Sequence, residues 1–188
     1  MKKQNITRFA KRALGEFSCT MIEQLSKKPF ENIMVSEICE ISSYPRATFY
    51  NYFEDKYDLL NYCWDCFYEK IDFQDSDIIN NEKNLYELFD SLYDFFYENR
   101  EILRKIARQN MPNGEFMQNF KVYTKYKINI NIKNCNCINT KKIPREMLAE
   151  HYSNTFVLIL EWTFLRENIL SKEDAKEYLE YLFEGGKK

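Results

Sequence analysis

Apolar positions recur at three- and four-residue spacing through most of the chain, the pattern of amphipathic helices rather than strands. In 6–26, Ile6, Ala10, Ala13, Phe17, Met21 and Leu25 fall on one helical face, and Pro29 closes the segment. A short helix is predicted over 35–41, with Val35, Ile38 and Cys39 on one side. Ser42-Ser43-Tyr44 reads as a turn, and Pro45 suits the first turn of a further short helix over 46–52. Glu54-Asp55 opens a longer helix with the stripe Leu59, Leu60, Cys63, Phe67 and Ile71. Acidic residues at that end complement the positive pole of the helix dipole.

The polar stretch 73–81 reads as a loop. Leu85, Leu88, Phe89, Leu92 and Phe96 mark a fifth helix, and 102–108 a short sixth. Met111-Pro112-Asn113-Gly114 is a break. A helix is predicted from Glu115 to about Ile132, although Ile128, Ile130 and Ile132 alternate as a strand would. The stretch 135–144 reads as a loop and 145–165 as a long helix. Ser171 with Asp174 resembles a capping box. It opens a last helix with the stripe Ala175, Tyr178, Leu179, Leu182 and Phe183, stopped by Gly185-Gly186. The expected fold is all-α, about nine helices, with no internal repeat. Its expected organisation is an N-terminal helix-turn-helix three-helix domain over 1–56 (the motif at about 34–53), then a helical domain over 57–188.

Composition narrows the class. Of 188 residues, 45% are hydrophobic and 16% aromatic, enough for a sizeable core and too many for a disordered chain. The longest apolar run, Phe156–Leu160, is far too short to span a bilayer. The basic start Met1-Lys2-Lys3 is followed by no apolar leader segment. A cytoplasmic protein with no membrane contact is expected. The six cysteines, Cys19, Cys39, Cys63, Cys66, Cys135 and Cys137, are then expected to be reduced. Net charge is −2, but residues 1–53 carry eight basic against five acidic side chains, while the remainder carries nineteen against twenty-four. A basic front on an acidic body suits a front that meets phosphate.

The informative stretch is 35–56, two short helices joined by a tight turn and flanked by longer ones. A helix-turn-helix needs this layout so that its second helix can enter a major groove. Phe49 and Phe53, four apart, share a face that belongs in the core. Arg46, Ala47, Thr48 and Asn51 lie elsewhere on the helix, and no acidic residue occurs from Ile41 to Phe53. Arg46 can pair bidentately with guanine, and Asn51 with adenine. The hydroxyls of Thr48, Tyr50 and Tyr52 can reach phosphate oxygens, and Lys56 can hold another phosphate.

The run Thr48-Phe49-Tyr50-Asn51-Tyr52-Phe53-x-x-Lys56-x-x-Leu59-Leu60, preceded by Val35-x-x-Ile38-Cys39, resembles the DNA-binding domain of the TetR family of bacterial transcriptional regulators. The resemblance covers about residues 7–60. It implies DNA contacts from Thr48, Tyr50, Tyr52 and Lys56 and, by matching position, from Ser36, Arg46, Ala47 and Asn51. Two departures stand out. Met34 occupies the place where the family usually has a capping Thr, and methionine cannot cap. Ser43 occupies the turn position usually held by Gly, where a Cβ costs on the order of 1 kcal/mol.

Later segments are similar too. Leu92-Tyr93-x-Phe95-Phe96-x-Glu98-Asn99-Arg100 and Leu160-Glu161-Trp162 resemble C-terminal segments of some members. The resemblance implies a homodimer in which the last two helices, about 145–166 and 172–184, pair with their twins. Interface residues would include Ile159, Thr163, Leu179 and Leu182, although the same stripes also suit an intramolecular core. It further implies a pocket for a small ligand among the middle helices. Phe89, Tyr93, Phe96, Phe120, Tyr123, Tyr152 and Phe156 would favour an apolar or aromatic ligand there, or serve as plain core. The implied function is a repressor released from a palindromic double-stranded DNA operator by that ligand. An activator, or a ligand- or partner-binding module of the same fold without DNA binding, remain alternatives.

Other chemistry has little support. Cys63-x-x-Cys66 lacks the further ligands a zinc site needs, since the single histidine is His151. Cys135-x-Cys137 in a polar loop is the better placed pair for thiol chemistry. Asp90, Asp94, Glu98 and Glu101 have the spacing of a solvated helix face. No phosphate loop or catalytic triad pattern appears. Neither an enzyme nor a metal or other cofactor is expected.

Overall fold

A computed structural model of the chain describes residues 7–71, 83–134, 143–166 and 170–184. Among the described residues there are nine α-helices and no strand: α1 (Arg8–Leu25), α2 (Val35–Ile41), α3 (Arg46–Tyr50), α4 (Lys56–Tyr68), α5 (Lys83–Glu98), α6 (Arg100–Gln109), α7 (Glu115–Asn134), α8 (Arg145–Leu165) and α9 (Lys172–Glu184). A 3₁₀ turn, Phe30–Asn32, lies between α1 and α2. The all-α expectation holds. The expected loop over 73–81, the Cys135 and Cys137 loop, Ile6 and the Gly185-Gly186 stop lie outside the described residues.

The apolar stripes form the core. Ala13, Phe17, Met21 and Leu25 of α1 are buried and pack on α2 and α4. Each large side chain of this kind stabilises the fold by about 1.5–3 kcal/mol. The core continues through Leu59, Leu60, Cys63 and Trp64 of α4 into the C-terminal helices. There α8 lies against α5, α6, α7 and α9. Ile128 and Ile132 settle the ambiguity in α7: four apart, both face the core, while Ile130 is half a turn away and exposed. A strand would have put all three on one side.

Helix starts follow the capping chemistry. Thr7 caps α1, its Oγ1 accepting the Ala10 N–H at 3.2 Å, so the helix begins two residues later than the apolar pattern suggests. The Asp55 carboxylate accepts the N–H groups of Tyr57 at 2.8 Å and Asp58 at 2.9 Å. It is the N-cap, and α4 starts at Lys56. At α9, Ser171 Oγ accepts the Asp174 N–H at 3.0 Å and donates to the Asp174 carboxylate at 2.7 Å. Met34 makes no side-chain cap to α2.

The turn between α2 and α3 is a Schellman motif. Tyr44 N–H donates to the Cys39 carbonyl at 3.0 Å and Ser43 N–H to the Glu40 carbonyl at 3.1 Å, satisfying the carbonyls at the end of α2. Tyr44, just past the left-handed residue, packs its ring on Phe17. Ser43 has φ 59°, the conformation glycine adopts without steric cost. Ser43→Gly is therefore expected to stabilise the chain by up to about 1 kcal/mol, despite the greater freedom glycine gives the unfolded chain. Chemical denaturation should show a raised midpoint with an unchanged slope.

Candidate nucleic-acid interface

Helix α3 is shorter than the 46–52 expected. Asn51 is its C-cap, and Phe53 N–H still reaches the Phe49 carbonyl at 3.0 Å. Phe49 and Phe53 are buried. Phe49 contacts Phe17 edge-on with ring centroids 5.4 Å apart, and Phe53 lies 5.5 Å from Tyr62. These anchors fix the rotation of α3. Arg46, Ala47, Tyr50 and Asn51 consequently point outward, with Tyr50 58% exposed, while Thr48 and Tyr52 are half-buried at the edges. Ser36, in the first turn of α2, is half-buried as well. Four of the eight residues singled out in the sequence thus form one exposed face, Thr48 and Tyr52 flank it, and Ser36 belongs to α2.

Lys56 is placed differently. Its Nζ donates to the carbonyls of Phe30 at 2.9 Å, Glu31 at 3.0 Å and Ile33 at 3.2 Å, and lies 4.6 Å from the Phe30 ring centroid. An ammonium has three donors, and all three are taken by the 3₁₀ turn and its exit. In this arrangement Lys56 braces the segment leading into α2 and has no donor left for phosphate. Arg8, Lys11 and Arg12, all exposed on α1, supply positive charge on the N-terminal unit. Lys28 is paired with Glu37.

The seam to the C-terminal helices is polar. Asn110, just past α6 and buried, accepts the Phe30 N–H at 2.8 Å on Oδ1 and donates from Nδ2 to the carbonyls of Leu25 at 3.3 Å and Ile106 at 2.8 Å. Glu115 N–H donates to Glu31 Oε1 at 2.8 Å, and Tyr57 donates to the Glu115 carboxylate. That hydrogen bond is the main reason the Tyr57 phenol is pushed up to about 12. A Cβ on Gly114 would come within 2.9 Å of Glu31 Oε1. The 110–115 turn therefore touches the end of α1, the 3₁₀ turn and the start of α4. The sequence shows it only as a break.

Among solved structures, a TetR transcriptional regulator from Streptococcus agalactiae 2603V superposes with a TM-score of 0.62 over 93% of this chain and 96% of that one, at 20% identity. The chain has the fold of that TetR regulator. No family model and no curated protein matches its sequence.

Within this TetR fold six of the aromatic residues expected around a pocket, Phe89, Tyr93, Phe96, Phe120, Tyr152 and Phe156, belong to one connected set of rings that Phe164 and Phe183 help to join. Phe89 meets Phe156 at 5.3 Å, and Phe96 meets Phe120 at 5.9 Å. Tyr93 lies against Phe164 at 5.2 Å and donates to the Leu170 carbonyl at 2.7 Å. Tyr152 packs on Phe183, and Tyr123 beside Tyr68. Of the residues expected at a dimer interface, Ile159, Thr163 and Leu179 are buried within the subunit and only Leu182 faces outward. The exposed apolar side chains of these helices are instead Met147, Leu158 and Trp162 of α8, with Glu150, His151 and Asn154 exposed between the first two, and Tyr178, Tyr181 and Leu182 of α9. Over 156–165 helix α8 is apolar on nearly every side, so periodicity there gives no basis for choosing between its faces.

Burial pushes the Cys63 thiol up to about 12, with the Ser18 hydroxyl opposing the shift, and burial raises Cys66 as well. The protonated thiol is the unreactive form. Among the described residues no three His, Cys, Asp or Glu side chains come together as a metal site. No described helix is long and apolar enough to cross a membrane.

Proposed function

We propose that the chain is a sequence-specific DNA-binding transcriptional regulator of the TetR type. It works as a homodimer on a palindromic operator and is released, as a repressor, by a small ligand held among the C-terminal helices. The observation that carries this reading is the outward face of α3: Arg46, Ala47, Tyr50 and Asn51 exposed together, anchored from behind by Phe49 and Phe53. Arg46 and Asn51 read base edges, and the Tyr50 hydroxyl and the half-buried Thr48, Tyr52 and Ser36 contact the backbone.

One short helix binds weakly. Two of them about 34 Å apart, one turn of DNA, read a palindrome. The exposed face of α8 and α9, with Trp162 and Tyr181, is the surface for a second copy. A ligand that favours a dimer with another spacing between its two α3 helices shifts the population away from DNA. The polar seam around Asn110 supports such coupling, since it ties α6 and α7 to the N-terminal unit.

The test is selection of duplexes from a random library by the purified protein, followed by titration at two salt concentrations. The expected outcome is an enriched palindrome. Its log affinity should fall by about 0.9 per phosphate neutralised for each tenfold rise in salt. Arg46→Ala should relax the sequence preference while leaving most of that slope. No enrichment at any salt would overturn the reading.

A further inference from the structure

The first turns of α1 carry the wrong charge for a helix start. A helix dipole favours acidic side chains at its N-terminus, but α1 has none in its first turn and holds Arg8, Lys11 and Arg12 within its first five residues. All three are exposed. At spacings of three and four they share one side of the helix, where like charges repel. No hydrogen bond or ion pair among the described residues engages their side chains. Lys27 and Lys28, by contrast, are paired with Glu23 and Glu37. The fold sets the unpaired charge beside the recognition face. The Phe9 ring meets the Tyr44 ring edge-on with centroids 5.9 Å apart, and Tyr44 lies two residues before Arg46, the first residue of α3. The acid-free run 8–15 of α1 therefore adjoins the acid-free run 41–53.

We infer that Arg8, Lys11 and Arg12 form a second DNA-contact surface, which grips backbone phosphates of the duplex beside the groove that α3 enters. Repulsion among the three cations disfavours this helix start in the free protein and is relieved when phosphates lie among them. An arginine fork matches two phosphate oxygens and a lysine acts as a point charge, so the contacts carry charge but no sequence information. Their role is to fix the position from which Arg46 and Asn51 meet base edges. Lys56 leaves that role open, because its ammonium is spent on the carbonyls of Phe30, Glu31 and Ile33. The inference rests on the reading of α3 as the base-reading helix and adds where the phosphate grip comes from.

The test uses the full chain and the duplex it selects, or a random duplex if none is selected, titrated from about 50 to 200 mM salt. The variant Arg8→Gln, Lys11→Gln, Arg12→Gln is compared with two controls. One keeps the charge, Arg8→Lys, Lys11→Arg, Arg12→Lys. The other removes the same charge from α7 and α9, Lys125→Gln, Lys172→Gln, Lys176→Gln. The α1 glutamine variant should flatten the slope of log affinity against log salt by about 1.8 or more, one phosphate given up by each of two subunits. It should select the same palindrome and melt with the parent, and both controls should keep the parent slope. An unchanged slope in the α1 glutamine variant overturns the proposal. Equal flattening by either control does so too, since the effect is then not contact through charge at these positions. A changed palindrome also overturns it, because the three residues would then be reading bases. If the parent selects no palindrome but the α1 variant still flattens its slope on random duplex, this surface stands and the sequence-specific reading alone falls. No salt-dependent binding by the parent to any duplex removes both.

Discussion

Phe49→Ala is expected to abolish DNA binding and to destabilise the chain by about 3–5 kcal/mol, the range for emptying a buried phenylalanine site. Phe49 is fully buried, with ring centroids 5.4 Å from both Phe17 and Phe53. Those two partners belong to α1 and to the exit of α3, so no single side chain can move to fill the hole. For a chain of this length the melting temperature should fall by roughly 6–20 °C. Tyr50→Ala, one residue on, is the control. Tyr50 is 58% exposed, and its removal should shift melting by no more than about 0.5 kcal/mol while weakening operator binding. Melting curves and titrations of the selected duplex, run on both variants, separate the two effects. Equal loss of stability in both would mean that α3 is rotated from the orientation described here, and that its outward face has been misassigned.

The contrast between Phe49 and Tyr50 was legible in the sequence because it depends on spacing. Residues four apart on a helix share a face, so Phe49 and Phe53 could be placed inward and their neighbours outward. The strained turn was legible for a similar local reason. A position that favours φ > 0 holds Ser43, and the structure has φ 59° there. What spacing does not encode is the choice among partners from distant segments. Lys56 stands where a phosphate contact was expected, but its ammonium meets three carbonyls from residues 30–33. That encounter depends on how the 3₁₀ turn folds back against the start of α4. The stripes that hold Ile159, Thr163 and Leu179 suit either a dimer surface or an intramolecular core, and in the structure these three lie inside the subunit. Over 156–165 both sides of α8 are apolar, so the hydrophobic pattern is compatible with either.

Asn110→Ala is expected to cost about 2–4 kcal/mol, a large effect for a polar side chain. Asn110 supplies one acceptor to the Phe30 N–H and donors to the Leu25 and Ile106 carbonyls. The Phe30 N–H is at the start of the 3₁₀ turn, where no carbonyl of that turn precedes it to accept. Removing the amide leaves this N–H and the carbonyl at the end of α1 without that partner in a buried seam, and a stranded group costs about 1–3 kcal/mol. Asn110→Asp is the sharper variant. It keeps an oxygen for the Phe30 N–H but turns a carboxylate toward the two carbonyls, so it should not restore stability. The α3 face is untouched in both variants, so operator affinity at a temperature where the chain stays folded should change by less than about tenfold, below 1.4 kcal/mol. Melting should fall by roughly 4–16 °C. If Asn110→Ala melts with the parent protein, the amide is not holding the seam, and any coupling between the C-terminal helices and the helix-turn-helix must run through α4 and the contacts of Glu115 with Glu31 and Tyr57.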